Sequence, residues 1–131
     1  TKPFIIGGRP AAASDGPGVD FLLPNFPWLE SALLRAQDNP VDYGFGELPT
    51  MTLEDILIAK LWALRRAQPR AKDLDDIQSI FDANPEIDWA YLAAQIYRWN
   101  IEVAKGVQSL LPKALVDLCK DALRAEQNRP E

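Results

Sequence analysis

Thr52–Phe81 carries the residues most able to do chemistry in this chain. At roughly 100° per residue, Leu53, Ile56, Leu57 and Leu64 share one arc of a helix, and Lys60 falls inside that arc. After a break at Pro69 the pattern recurs with the opposite sign. Leu74, Ile77, Ile80 and Phe81 form the apolar arc of a second helix, with Asp73 within it and Asp76 at its edge. Two consecutive helices thus turn complementary charges toward the interior. Burying such groups unpaired costs several kcal/mol each, so they should meet each other, a cleft or a ligand. The alternative is that Lys60 lays its stem along the surface and Asp73 merely caps its helix.

The elements that must hold these residues can be read from punctuation and period. Thr52 followed by Asp55 resembles a capping box and fixes the start of the long helix. The next helix spans about Lys72 to Asp82, Asn84-Pro85 ends it, and Asp88 caps another from Trp89 to Trp99. A last helix spans about Pro112 to Arg124, with Leu115, Leu118, Ala122 and Leu123 inward, and residues 127–131 should fray. Before Thr50 the chain is strand-rich. Phe4 to Ile6 and Val19 to Leu23 are short apolar runs joined by a loop of Gly, Pro, Ala and Ser, with Val19, Phe21 and Leu23 on one face and Asp20 on the other. A modest helix begins at Pro27 or Trp28 and runs to about Asp38, with Leu29, Ala32 and Leu33 at helical spacing. Asn39-Pro40 ends it, and Val41 to Leu48 reads as a third, edge strand.

The expected fold is therefore α+β: a small mixed or antiparallel sheet of about three strands, then a four-helix C-terminal region. Residues 1–131 read as one domain, strand-rich over 1–49 and helical over 50–131. Three strands are few for this much helix, so a second copy of the chain, or material outside it, is expected to complete the sheet.

Composition narrows the chemistry. The chain has 131 residues, a hydrophobic fraction of 47% and a charged fraction of 25%, with no apolar run long enough to span a membrane and no signal peptide pattern, which reads as cytoplasmic. It has no histidine, which removes Ser-His and Cys-His nucleophile systems and His-ligated zinc. The lone Cys119 has no internal disulfide partner and sits at helical spacing with Leu115, Leu118 and Leu123 as a small core residue. A net charge of −5 argues against a general nucleic-acid surface, although Arg65, Arg66, Arg70 and Lys72 form a local basic cluster that could meet phosphates or simply be solvated. Trp28, Trp62, Trp89 and Trp99 serve packing or oligomer contacts more readily than base stacking, and Trp62 is expected away from the Lys60 face, exposed or against a neighbouring element.

Several segments in order resemble the C-terminal half of the minimal-type nucleotidyltransferases, including AbiEii toxin-like and uncharacterised relatives. These are the strand Gly18-Val19-Asp20-Phe21-Leu22-Leu23, then a T-x-E-D-x-x-x-x-K helix made by Thr52, Glu54, Asp55 and Lys60, then Lys72-Asp73-Leu74-Asp75-Asp76-Ile77. The resemblance covers about Val19 to Phe81. It implies a polymerase-beta-like mechanism in which three carboxylates hold Mg2+ and align a nucleoside triphosphate with an acceptor, the acceptor being RNA or protein. Asp20 would be the third carboxylate, a catalytic metal ligand. Lys60 and Arg70 would meet the triphosphate, and Asp73 and Asp76 would hold the helix pair and its cations in place. The Gly-Ser or Gly-Gly motif with an Asp-x-Asp pair, which supplies the other two ligands in that family, is not convincingly present. Gly7-Gly8 is followed by Asp20 only twelve residues later. The chain alone is therefore expected to be inactive, being either a piece that lacks an N-terminal segment, as its start at Thr1 suggests, or a degenerate member. The competing expectation is a non-enzymatic helical interaction module in which Lys60 and Asp73 form a structural ion pair.

Overall fold

Alternating short apolar runs and capped helical segments give an α+β chain, mostly helical, in the computed structural model, which describes residues 5–8, 18–23, 25–83 and 86–128. Strands β1 (Ile5–Gly8) and β2 (Val19–Leu22) pair antiparallel, with Gly7 opposite Asp20. Helix α1 (Leu29–Gln37) follows, then strands β3 (Pro40–Asp42) and β4 (Glu47–Pro49). Five helices complete the described chain: α2 (Leu53–Leu64), α3 (Ala71–Ala83), α4 (Trp89–Arg98), α5 (Lys105–Gln108) and α6 (Lys113–Gln127).

Among the described residues, two separate two-stranded sheets stand in place of the expected three-stranded one. Val41 to Leu48 is not one edge strand but a hairpin, because Gly44 and Gly46 take positive φ of 90° and 142° and turn the chain back on itself. The Gly44 amide donates to Asp42 Oδ1 at 2.8 Å, closing the turn locally. Phe21, placed on a core face by alternation, is 64% exposed, since a two-stranded ribbon offers it no covering layer. The C-terminal region holds five helices rather than four. The extra one, α5, is a single turn beginning after Ala104, too short for any period to announce it.

The core is helical. Trp28 and Leu29 with Ala32 from α1, Leu57, Ile58 and Leu61 from α2, Ile77 and Phe81 from α3, Leu92, Ala93 and Ile96 from α4, and Leu115 from α6 form one buried cluster, joined by Ile87, Ile101 and Val107. Each aliphatic side chain of this kind contributes about 1.5–3 kcal/mol when fully buried. Two caps form where the sequence places them: Thr52 Oγ1 accepts from the Asp55 amide at 3.2 Å, and Asp88 Oδ1 accepts from the Tyr91 amide at 2.9 Å. Among the described residues, no helix is long and apolar enough to cross a membrane.

Leu53 and Leu33 depart from their expected faces, at 37% and 52% exposed. In α2 the reason is composition. Apolar residues surround this helix, so period alone does not choose a face, and the buried arc runs through Leu57, Leu61, Ile58 and Asp55 instead.

Candidate functional site

The charged residues expected to act lie where α2 passes α3. Lys60 borders the buried arc of α2, roughly 60° beyond Leu57 at about 100° per residue, so its stem lies along the domain and its ammonium reaches out. Its side chain keeps 36% of its exposure, and Nζ donates to Asp76 Oδ2 at 3.4 Å. The expected partner, Asp73, is engaged elsewhere. It sits three residues into α3 and accepts the Arg70 amide at 3.1 Å, the position from which a carboxylate caps its own helix. The same carboxylate accepts Arg70 Nε at 3.1 Å and Nη2 at 3.3 Å. A helix-capping geometry thus outcompetes the longer reach to Lys60, and of the two aspartates expected beside Lys60 it is Asp76 that pairs with it, not the Asp73 of the structural-pair reading. Neither partner of this pair is interior: the Asp76 side chain, on α3, is 42% exposed as well.

Electrostatically the four groups act as one cluster. The Arg70 hydrogen bonds hold the Asp73 carboxyl below its ordinary range, and the nearby Lys60 charge adds to the effect. In return the Asp73 carboxylate raises Arg70. Donors remain unspent, because a guanidinium carries five N–H groups and an ammonium three. Arg70 commits its Nε and Nη2 to Asp73 and remains 79% exposed.

Asp20 is placed on β2 opposite Gly7, but its side chain lies outside what the structure describes. Among the described residues no group of three or more acidic, cysteine or histidine side chains converges on a metal-sized site.

Among the described residues the buried charge is Asp55, to which the sequence reading gave a capping place and a motif position but no site role. Asp55 is 3% exposed, and its carboxylate accepts from Tyr91 Oη at 2.7 Å, Arg35 Nε at 3.1 Å and Thr52 Oγ1 at 3.0 Å. The Arg35 guanidinium also lies over the Tyr91 ring, 3.6 Å from its centroid. Next to this cluster, Glu54 Oε1 accepts the Asp88 amide at 3.0 Å. Helices α1, α2 and α4 are thereby fastened at one point. Burial, with the Asp55 hydrogen bond next, raises the Tyr91 phenol. A faint signal was available: Asp55 stands one turn before Ile58, on the face that is in fact buried.

Three cavities are lined by residues other than those of the two clusters. The largest, about 960 Å3, opens between α4 and α6, and one of about 500 Å3 follows the chain from Arg65 to Pro69. The third, about 440 Å3, is bordered by Trp62, Arg66 and Trp99. Trp62 is half-buried against the core with Arg65 stacked on its ring at 3.7 Å, in agreement with a packing role. Cys119 is half-buried rather than interior and lines the largest cavity.

No family model matches the chain, and no curated protein or solved structure matches it.

Proposed function

We propose that the chain is part of a nucleotidyltransferase-like protein and that Lys60 and Arg70 receive the triphosphate of a nucleotide. The observation that supports this reading is the α2–α3 cluster: two cations held at their bases by Asp76 and Asp73, each with N–H donors to spare. Anchoring by a carboxylate removes much of the rotamer freedom that a long side chain would otherwise lose on meeting a phosphate. Asp20 serves in this reading as one catalytic carboxylate, with the remaining Mg2+ ligands supplied from outside the described residues. The acceptor is RNA or protein, and the setting is cytoplasmic.

Calorimetry of the chain with each nucleoside triphosphate tests the phosphate role. Binding should weaken by about tenfold or more in Lys60→Met and in Arg70→Met, the loss expected for one charge-assisted hydrogen bond. Unchanged binding in both variants removes the ligand role. In the presence of Mg2+ and labelled triphosphates, the chain by itself should transfer no nucleotide to RNA or protein. Transfer abolished by Asp20→Ala would mean that the catalytic carboxylates are all here.

A second reading, a non-enzymatic interaction module, is favoured by the exposed apolar side chains Leu33 and Leu34 on α1 and Val41, Tyr43, Phe45 and Leu48 on the hairpin. In that reading Lys60–Asp76 is only a surface ion pair, and a second copy of the chain is one partner. Sedimentation across a concentration series separates a monomer from that assembly.

A further inference from the structure

The 960 Å3 cavity between α4 and α6 is lined by none of Lys60, Arg70, Asp73 and Asp76, and its lining has a distinct chemical character. Ile96, Ile101, Leu111 and Val116 line it together with the polar Asn100 and Gln108, so the lining is mainly apolar. Among the described residues the lining contains Arg98 and Lys120 and no aspartate or glutamate, in a chain whose net charge is −5. Arg98 lies over the Trp99 ring at 4.6 Å, which steadies its guanidinium without neutralising it. Among the described ion pairs neither cation takes part. The acids beside Lys120 on α6 have closer partners: Asp121 lies 3.9 Å from Arg124, and Asp117, which also feels the Lys120 charge, accepts from Lys113 at 2.7 Å. A cavity of this volume is at the upper end of the roughly 300–1,000 Å3 that small-molecule sites occupy, and apolar walls with a few polar groups are their usual make-up.

We infer that this cavity binds a small aliphatic carboxylate, its chain against Ile96, Ile101, Leu111 and Val116 and its anionic head at Arg98 and Lys120. The apolar walls select for chain length, since every methylene removed from water adds a similar increment of affinity. The two lining cations select for charge, since a carboxylate meets both, whereas an alcohol of the same length gains only the apolar part. Cys119, in the cavity wall, reports occupancy.

Titration calorimetry of the chain with hexanoate, octanoate, decanoate and decanol tests this. One saturable site is expected, tightening about fifteenfold for every two methylenes. Decanol should bind about tenfold more weakly than decanoate. The double variant Arg98→Gln, Lys120→Gln should erase the difference between decanoate and decanol while leaving the apolar increment intact. Val116→Trp, which fills the cavity, should abolish binding. Should that variant not fold, alkylation of Cys119 by N-ethylmaleimide in the unaltered chain gives a separate reading, and saturating decanoate should slow it severalfold. Absence of saturable decanoate binding, equal affinity for decanol, or no protection of Cys119 would each overturn the proposal.

Discussion

Asp55 and Lys60 stand little more than a turn apart on α2, and the fold treats their charges in opposite ways. Asp55 is buried and receives three hydrogen bonds, from α1, from α4 and from its own cap. Lys60 is half-exposed and has one long contact with a half-exposed partner. A buried carboxylate must be satisfied in the folded state, so its partners are fixed by the architecture. A rim cation has water as an alternative, so its partner contributes little and can be exchanged for another anion. The interior charge therefore belongs to the scaffold, and the peripheral one is free to serve a ligand.

That contrast is broken most directly by Asp55→Ala. It leaves Arg35 and the Tyr91 hydroxyl without their acceptor at a buried junction, and the expected loss of stability is about 3 kcal/mol by urea unfolding. A loss below about 1 kcal/mol would mean that the junction is not essential to the fold.

Tyr91→Phe removes one arm of the same junction and should cost about 1.5 kcal/mol near neutral pH. The sign of its pH dependence follows from the raised Tyr91 phenol. A group whose folded value lies above its ordinary value near 10 contributes fully below that pH and loses its contribution as pH rises through the folded value. The unaltered protein should therefore destabilise above pH 10 more steeply than Tyr91→Phe, and the gap between the two should shrink there. Parallel urea curves from pH 8 to pH 11 for the two proteins would contradict that account.

The smallest effect belongs to the rim. Lys60→Met should change stability by less than about 0.5 kcal/mol, because an exposed pair contributes little and methionine keeps the apolar stem. If the thermal midpoint instead falls as far as in Tyr91→Phe, Lys60 belongs with the scaffold and the distinction between the two regions fails.

Caps and helix extents were legible because their determinants are local: Thr52, Asp88 and the breaks near Pro69 act on adjacent backbone. Ala71–Ala83 and Trp89–Arg98 lie within a residue of the spans read from period and punctuation. The buried face of α2 was not legible, since Leu, Ile, Ala and Trp encircle it and only tertiary packing chooses among them. The same ambiguity hid Asp55, whose neighbours Arg35 and Tyr91 are distant in sequence. It also put Lys60 inside an arc that it only borders. The partner of Lys60 was narrowed correctly to two aspartates, but choosing between them required knowing that Arg70 takes Asp73 first. Gly44 and Gly46 were visible as strand-weakening residues, yet two glycines in eight residues describe a kinked edge strand and a hairpin equally well.

The hairpin β3–β4 bears on how the molecule can be handled. Every residue from Pro40 to Pro49 is exposed, so an added side chain or short peptide there displaces no buried atom. The ends of the unit are fastened independently of its tip: Asn39 Nδ2 donates to the Thr50 carbonyl at 2.8 Å, and the Thr50 amide donates to the Asn39 carbonyl at 3.1 Å. Chain inserted between Gly44 and Phe45 leaves that clasp closed, and lengthening a closed loop costs only about 0.6 kcal/mol per doubling. The tip is thus a permissive attachment point for an epitope or fluorophore, remote in sequence from α4 and α6 and built on a fastening that the label does not touch.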